Sequence, residues 1–162
     1  MKLDRVDINI LAELQKNGRL TNIELAERVH LSASPCLART KKLQGAGYIT
    51  GFSAQLDLTS LADVVTVFTE VTLAWHRRED LARFVGVLEK IDQVVECHLV
   101  SSGYDYLVKF NTCVISEYQD IMERLLDMNL GIKKYFSYVV FKTPIAPRQL
   151  PVATVLRVAT QT

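Results

Sequence analysis

Over the first 46 residues the apolar positions recur three times with the period of an amphipathic helix. Val6, Ile10, Leu11 and Leu14 predict a helix over 4–17. Asp4 suits its N-cap, and Asp7 in the first turn favours the positive end of the helix dipole. Asn17-Gly18 supplies the stop. Thr21-Asn22-Ile23-Glu24 then forms a capping box in which Thr21 and Glu24 satisfy each other's exposed amides. Ile23, Leu25, Ala26 and Val29 give the apolar side of this second helix, which ends near His30. Ser32 suits the N-cap of a third helix, with Pro35 in its first turn, where a missing amide costs little. Cys36, Leu37, Thr40 and Leu43 line one face of it. Ser34, Ala38, Lys41 and Lys42 line another, with Arg39 beside them, and Gly45 and Gly47 end it.

After residue 47 the period changes. Residues 48–56 read as an extended segment. Val64 to Ala74 alternates as a strand does. Glu79 to Ile91 is helical through Leu81, Phe84, Val85, Leu88 and Ile91, and Val94 to Val100 is a strand. Ser101-Ser102-Gly103 is a turn and Tyr104 to Phe110 a strand. Ile115 to Met128 is helical, and Lys133 to Phe141 is the last strand. The order from 64 onward is β-α-β-β-α-β, the split ferredoxin-like unit. Pro144, Pro147 and Pro151 bar a regular central strand over 142–151, and 153–162 reads as a loose tail. The expected class is therefore α+β. It comprises a helix-turn-helix, winged-helix-like domain over 1–47, a linker with an extended segment over 48–62, a ferredoxin-like βαββαβ sandwich domain over 63–152, and the tail.

A sheet of this kind carries both helices on one face and leaves the other bare. In the first strand Val65, Val67, Val71 and Leu73 alternate with Val64, Thr66, Phe68, Thr69 and Thr72, so both sides are rather apolar. The bare face then needs a partner, and a second copy of the chain is the simplest one.

Composition narrows the classes without choosing among them. Apolar residues at 49% and charged residues at 23% exclude a disordered chain. Three cysteines, Cys36, Cys97 and Cys113, with no CxxC, speak against a disulfide framework and against a structural zinc site. No uncharged apolar stretch is long enough to span a membrane, and charge alternates with apolar residues from Met1 to Ile10, unlike a signal peptide. A soluble cytoplasmic protein is expected. The net charge is only +1, yet residues 1–46 hold eight Lys/Arg against five Asp/Glu. The basic end therefore coincides with the three helices.

Two short helices joined by a tight turn, the second opening on small residues and carrying Arg39, Lys41 and Lys42, have the form of a helix-turn-helix. A recognition helix enters the major groove, so its first side chains are small or polar. Its basic residues neutralise phosphates or read guanine edges. The same pattern also fits a plain three-helix packing unit with a solvated charged face.

The residues Leu3-Asp4-x-x-Asp7-x-x-Ile10-Leu11-x-x-Leu14-Gln15-x-Asn17-Gly18-Arg19, then Leu25-Ala26-x-x-Val29-x-Leu31-Ser32-x-Ser34-Pro35-Cys36-Leu37-x-Arg39, then Leu43-x-x-x-Gly47-x-Ile49-x-Gly51, resemble the N-terminal domain of the leucine-responsive regulatory protein (Lrp)/AsnC family. The likeness continues through Glu96-Cys97-His98-Leu99-Val100-Ser101 and Tyr104-Asp105-Tyr106-Leu107 and covers about residues 2–152. It implies a transcription regulator that pairs a helix-turn-helix with a ferredoxin-like effector domain. It also implies dimers that assemble further, often to octamers, and a response to amino acids. By this resemblance the DNA contacts fall at Thr21, Asn22, Ser32, Ser34, Pro35, Ala38, Arg39, Lys41 and Lys42, with Arg39 at the family's most regular basic position. Ala38 stands where many relatives carry a long polar or basic side chain, Thr40 replaces a usual Val or Ile, and His30 replaces a common turn glycine. The effector residues fall at Leu99, Ser101, Ser102, Gly103, Tyr104, Asp105 and Tyr138. There the family's Gly, acidic, any residue, Asp pattern is replaced by Ser102, Gly103, Tyr104 and Asp105, so the segment reads equally as an effector loop or a simple hairpin turn. Asp105 keeps the family position and is the residue expected to order the loop.

Other constellations are weaker. Neighbouring strand residues point to opposite faces, so Cys97 and His98 cannot easily share one ligand. Trp75-His76-Arg77-Arg78 reads as a solvated strand-to-helix loop, because the strand over 104–110 lacks an RNP-type run. No GxSxG, HExxH or phosphate-cradling glycine loop occurs. The expectation is a sequence-specific, homo-oligomeric regulator of double-stranded DNA, with no catalytic residue, metal or cofactor, modulated by an amino acid or related small molecule. The alternatives are an architectural DNA-binding or small-molecule-binding module of weak sequence specificity, and an enzyme using Cys97 or Cys113 as nucleophile.

Overall fold

The computed structural model describes residues 2–101, 103–145 and 149–159. Contacts divide the chain into two compact units. One holds the residues up to Gln55 together with the C-terminal segment, and the other holds Leu56–Ile145.

In the first unit, α1 (Arg5–Lys16), α2 (Asn22–Arg28) and α3 (Ala33–Gly45) close around Ile10, Leu25, Ala26, Val29, Cys36 and Leu43. Both first-turn signals operate. The Asp4 carboxylate accepts the Asp7 amide at 2.8 Å while Asp7 accepts the Asp4 amide at 3.2 Å, and Thr21 and Glu24 form the second capping box. Ser32 is the N-cap of α3 by backbone alone, since its side chain makes no capping bond. The end of α3 is a Schellman turn: Tyr48 N donates to Leu43 O and Gly47 N to Gln44 O, with Gly47 at φ +77°.

Helix α2 ends in the same way, but with a histidine in the glycine position. Leu31 N donates to Ala26 O, His30 N to Glu27 O, and His30 has φ 57°. A Cβ in the left-handed region costs about 1 kcal/mol. His30→Gly is therefore expected to stabilise the first unit by about that amount, offset in part by the greater freedom of glycine in the unfolded chain; a rise in the urea midpoint at constant slope checks it.

Residues 48–56, expected to be an extended segment, join no strand ladder and lead to a short 3-10 turn at Leu58–Ser60. One expectation fails here. The supposed loose tail instead contains helix α6 (Val152–Ala159), which packs on α1; residues 160–162 lie outside the described residues. Gln15 on α1 holds the start of α6 through its side chain. Its Oε1 accepts the Val152 amide at 3.0 Å, and its Nε2 donates to Leu150 O at 3.0 Å and Gln149 Oε1 at 3.3 Å. The C-terminal segment thus groups with the helical unit and not, as expected, with the sheet.

The second unit has the expected order, β1 (Val65–Leu73), α4 (Arg78–Leu88), β2 (Val94–Leu99), β3 (Tyr106–Thr112), α5 (Ile115–Asp127) and β4 (Ile132–Val139). Its sheet runs β2-β3-β1-β4, with every pairing antiparallel. One face packs Val67, Val71 and Leu73 of β1 and Tyr106, Val108 and Phe110 of β3 against Phe84 and Leu88 of α4 and Tyr118, Ile121, Met122 and Leu125 of α5. Thr69 belongs to this covered face, as strict alternation with Val67 and Val71 requires, and not to the bare one with which it was grouped: it is fully buried and its hydroxyl is 2.8 Å from that of Tyr118, which also bonds Ser137.

The helix-free face carries Thr66, Phe68, Glu70 and Thr72 of β1, Leu107 and Lys109 of β3, and Lys134, Phe136 and Tyr138 of β4. It is less apolar than expected. Lys109 lies over the Phe68 ring and pairs with Glu96 at 2.7 Å, and Lys134 lies over Phe136. Among the described residues, no helix is long and apolar enough to cross a membrane.

Candidate nucleic-acid interface and ligand loop

Helix α3 turns through about 100° per residue, and its buried stripe is Cys36 and Leu43. The opposite side therefore presents Ser34, Ala38 and Lys41, flanked by Lys42 and by the exposed Leu37, and Pro35 is exposed at its first turn. Among the described residues neither Lys41 nor Lys42 has an ion-pair partner. Small residues at the start and two free ammonium groups on the outer face suit entry into a groove lined by phosphates.

Arg39 stands elsewhere. It sits beside the buried stripe, four residues before Leu43, and its Nη1 donates to Asp4 Oδ2 at 2.6 Å and to Asp7 Oδ1 at 2.7 Å. Asp7 is buried, so its charge is answered inside the unit. The Asp7 amide and then the Arg39 guanidinium hold the Asp4 carboxyl below the usual carboxylate range. Arg39 thus fastens α3 to the first turn of α1.

Other expected contacts are also engaged within the fold. Thr21 Oγ1 and Glu24 bond each other, and Asn22 Nδ2 donates to Ala33 O at 2.7 Å, fixing the entry to α3 against α2. Thr40, which replaces an apolar residue of the family pattern, donates its hydroxyl to Cys36 O at 3.0 Å and so satisfies itself within the helix.

In the second unit the β2–β3 connection brings Leu99, Ser101, Gly103, Tyr104 and Asp105 together at one end of the sheet; Ser102 lies outside the described residues. Gly103 has φ +71°. Asp105 orders this end, as expected: its amide donates to Val71 O at 2.9 Å, its carbonyl accepts from Val100 N at 2.9 Å, and its Oδ2 accepts the Leu73 amide at 2.6 Å. Its Oδ1 is 2.8 Å from His76 Nε2, a partner that sequence reasoning missed because His76 lies 29 residues earlier, in a loop read as solvated. Tyr138 stands on the helix-free face of β4, with β1 between it and β3. Partial desolvation, then the Glu70 carboxylate and the Tyr104 phenol nearby, push its hydroxyl above the ordinary tyrosine range.

Burial pushes the Cys97 and Cys36 thiols up, away from the nucleophilic thiolate. Cys97 and His98 do face opposite sides of the sheet, His98 turning to Glu96. Among the described residues no cluster of three or more His, Cys, Asp or Glu is placed to hold a metal ion.

Comparison with known proteins agrees with this division. Residues 3–50 match the winged helix-turn-helix DNA-binding model and residues 66–150 match the Lrp/AsnC ligand binding domain. The transcriptional regulatory protein DoeX of Halomonas elongata is 41% identical over 147 residues, 91% of this chain and 93% of that protein. The leucine-responsive regulatory protein of Escherichia coli K12 is 38% identical over 152 residues, covering 94% of this chain and 93% of that protein. Among solved structures, a Neisseria meningitidis transcriptional regulator in complex with L-Met superposes with a TM-score of 0.86 at 32% identity, covering 95% of this chain and 99% of that one. An AsnC family regulator of Agrobacterium tumefaciens gives 0.86 at 31% identity, covering 94% and 99%. With both domains matched in order and relatives alike along nearly their whole length, the chain belongs to the Lrp/AsnC family: it is a transcriptional regulator with a DNA-binding helix-turn-helix and a ligand-binding domain, not an enzyme.

Proposed function

We propose that the chain reads double-stranded DNA through the outer face of α3, with Ser34, Pro35, Ala38, Lys41 and Lys42 toward the groove. Arg39, Asn22 and Thr21 set the pose of that helix, and Ser32 opens it. The observation that carries this reading is the split of the basic residues of α3: Arg39 is committed to Asp4 and Asp7, while Lys41 on the far side of the helix, and Lys42 one turn on from Arg39, have no ion-pair partner among the described residues.

The chain works as a homo-oligomer in the cytoplasm, at the nucleoid. Two recognition helices about one turn of DNA apart are needed to read a two-part operator, and the helix-free sheet face with Phe68, Phe136 and Tyr138 is the surface for the second copy. Dimers assemble further, to octamers. An amino acid binds at the loop of Leu99, Ser101, Ser102, Gly103, Tyr104 and Asp105, with Tyr138 nearby. The L-Met complex of the Neisseria relative supports this ligand class. Such a ligand acts only by binding two assembly states unequally.

The test is binding of the purified protein to the DNA upstream of its own gene and to a shuffled fragment, with and without mixed amino acids, beside light scattering for mass. Preference for the native fragment, altered by the mixture, is expected. No preference, with a steep salt slope, supports an architectural protein instead, and a monomer at micromolar concentration refutes the oligomer.

A further inference from the structure

The loop between β1 and α4 is gripped on two sides. On one side Ala74 N donates to Gly131 O at 2.7 Å, and the Trp75 indole lies against Gly131 so closely that a Cβ there would come within 2.7 Å of Trp75 Cε3. Gly131 also has φ +76°, so a glycine is needed both for the backbone and for the ring that covers it. On the other side His76 Nε2 meets Asp105 Oδ1 at 2.8 Å. The other bonds of Asp105 go to backbone groups, the Leu73 and Val100 amides and the Val71 carbonyl. Backbone partners exist whatever residue stands at those positions. The histidine is therefore the side chain through which the sequence adjusts this carboxylate.

We propose that His76 is a positioning residue of the ligand loop: it fixes the Asp105 carboxylate, and Trp75 seated on Gly131 fixes His76 in turn. The proposal rests on the reading of the 99–105 loop as an amino-acid site. A carboxylate held through both oxygens cannot swing, yet each oxygen keeps a lone pair. It complements the ammonium group of an α-amino acid without being reordered on binding, which lowers the entropic cost of association. His76 is 60% exposed and Asp105 only 19%, so the histidine can be replaced without opening a core.

The experiment uses the full chain as His76→Leu, His76→Gln and Gly131→Ala, with L-methionine and L-leucine as probes. Amide hydrogen exchange at Leu73, Val100 and Asp105 is measured first without any probe. His76→Leu is expected to speed exchange at these amides by about tenfold, the loss of one hydrogen bond, and to weaken the probe that binds by a similar factor. His76→Gln, whose amide can donate to Asp105, is expected to restore both to within about threefold. Gly131→Ala, which displaces Trp75, is expected to move both in the direction of His76→Leu. Exchange unchanged in His76→Leu overturns the proposal. So does faster exchange with unaltered probe affinity, and so does failure of glutamine to rescue. If neither amino acid binds the parent protein, the loop is not a site for these probes; the exchange result still decides whether His76 holds Asp105.

Discussion

Asp7→Ala is expected to destabilise the helix-turn-helix unit by about 2–4 kcal/mol and to weaken DNA binding although Asp7 is buried on α1 and lies away from the outer face of α3. Asp7 is buried and does two tasks: one oxygen takes the Arg39 guanidinium at 2.7 Å and the other takes the Asp4 amide at 3.2 Å. A charge-assisted hydrogen bond is worth about 1.5–3 kcal/mol and a helix cap about 1 kcal/mol. Asp7→Asn keeps the shape and the cap acceptor but loses the charge, so it is expected to cost about half as much. Urea unfolding of the full chain, followed through amide exchange in α1 and α3, measures the loss in this unit separately from the sheet unit.

The same series decides what Arg39 does. If Arg39 acts through its carboxylates, Asp7→Ala and Arg39→Ala weaken DNA binding together. Arg39→Lys also fails, because an ammonium on a flexible stem does not reproduce the fork that spans two acids. If Arg39→Ala alone abolishes binding while Asp7→Ala leaves it intact, the guanidinium reaches DNA directly and the clamp is incidental. Acid acts in the same direction. Since the Asp7 amide and Arg39 hold the Asp4 carboxyl below its ordinary range, its contribution is complete above the unfolded value, near pH 4, and disappears as pH falls through the lowered folded value.

What could be read in the sequence was what is local. The Asp4 N-cap of α1, the capping box of α2 and the Ser32 entry to α3 are encoded within four residues and appear where expected, as do the strands and helices of the sheet unit to within a few residues. Most of what the sequence did not show is long-range. Helix α6 is rich in β-branched residues and begins without a capping side chain of its own, so its propensity is poor. Its first amide is instead satisfied by Gln15, 137 residues earlier. Thr69 is the exception: alternation alone sets it between Val67 and Val71, and what the sequence does not show is the Tyr118 hydroxyl that satisfies it across the core. For Arg39 the sequence shows the charge and the position in the family pattern. The two acids that answer it lie on another helix, and only the fold brings them within reach.

The double substitution Lys41→Gln with Lys42→Gln is expected to leave stability within about 0.5 kcal/mol of the parent, as for exposed residues without partners, while lowering DNA affinity roughly tenfold or more at low salt. Each phosphate contact adds about 0.9 to the slope of log affinity against log salt concentration. If both lysines neutralise phosphates, the slope flattens by about 1.8 for each protomer bound, and native and shuffled DNA weaken alike. If one of them reads a guanine edge, the native fragment loses more than the shuffled one, and the single substitutions show which lysine is responsible. A slope unchanged by the double substitution removes the outer face of α3 from the DNA, whatever Arg39 does. Titrations of Arg39→Ala beside the double variant therefore separate two kinds of loss. The lysines change the salt dependence and leave the fold intact. Arg39 changes the fold, and its effect on affinity follows the seating of α3, with the slope per bound protomer preserved.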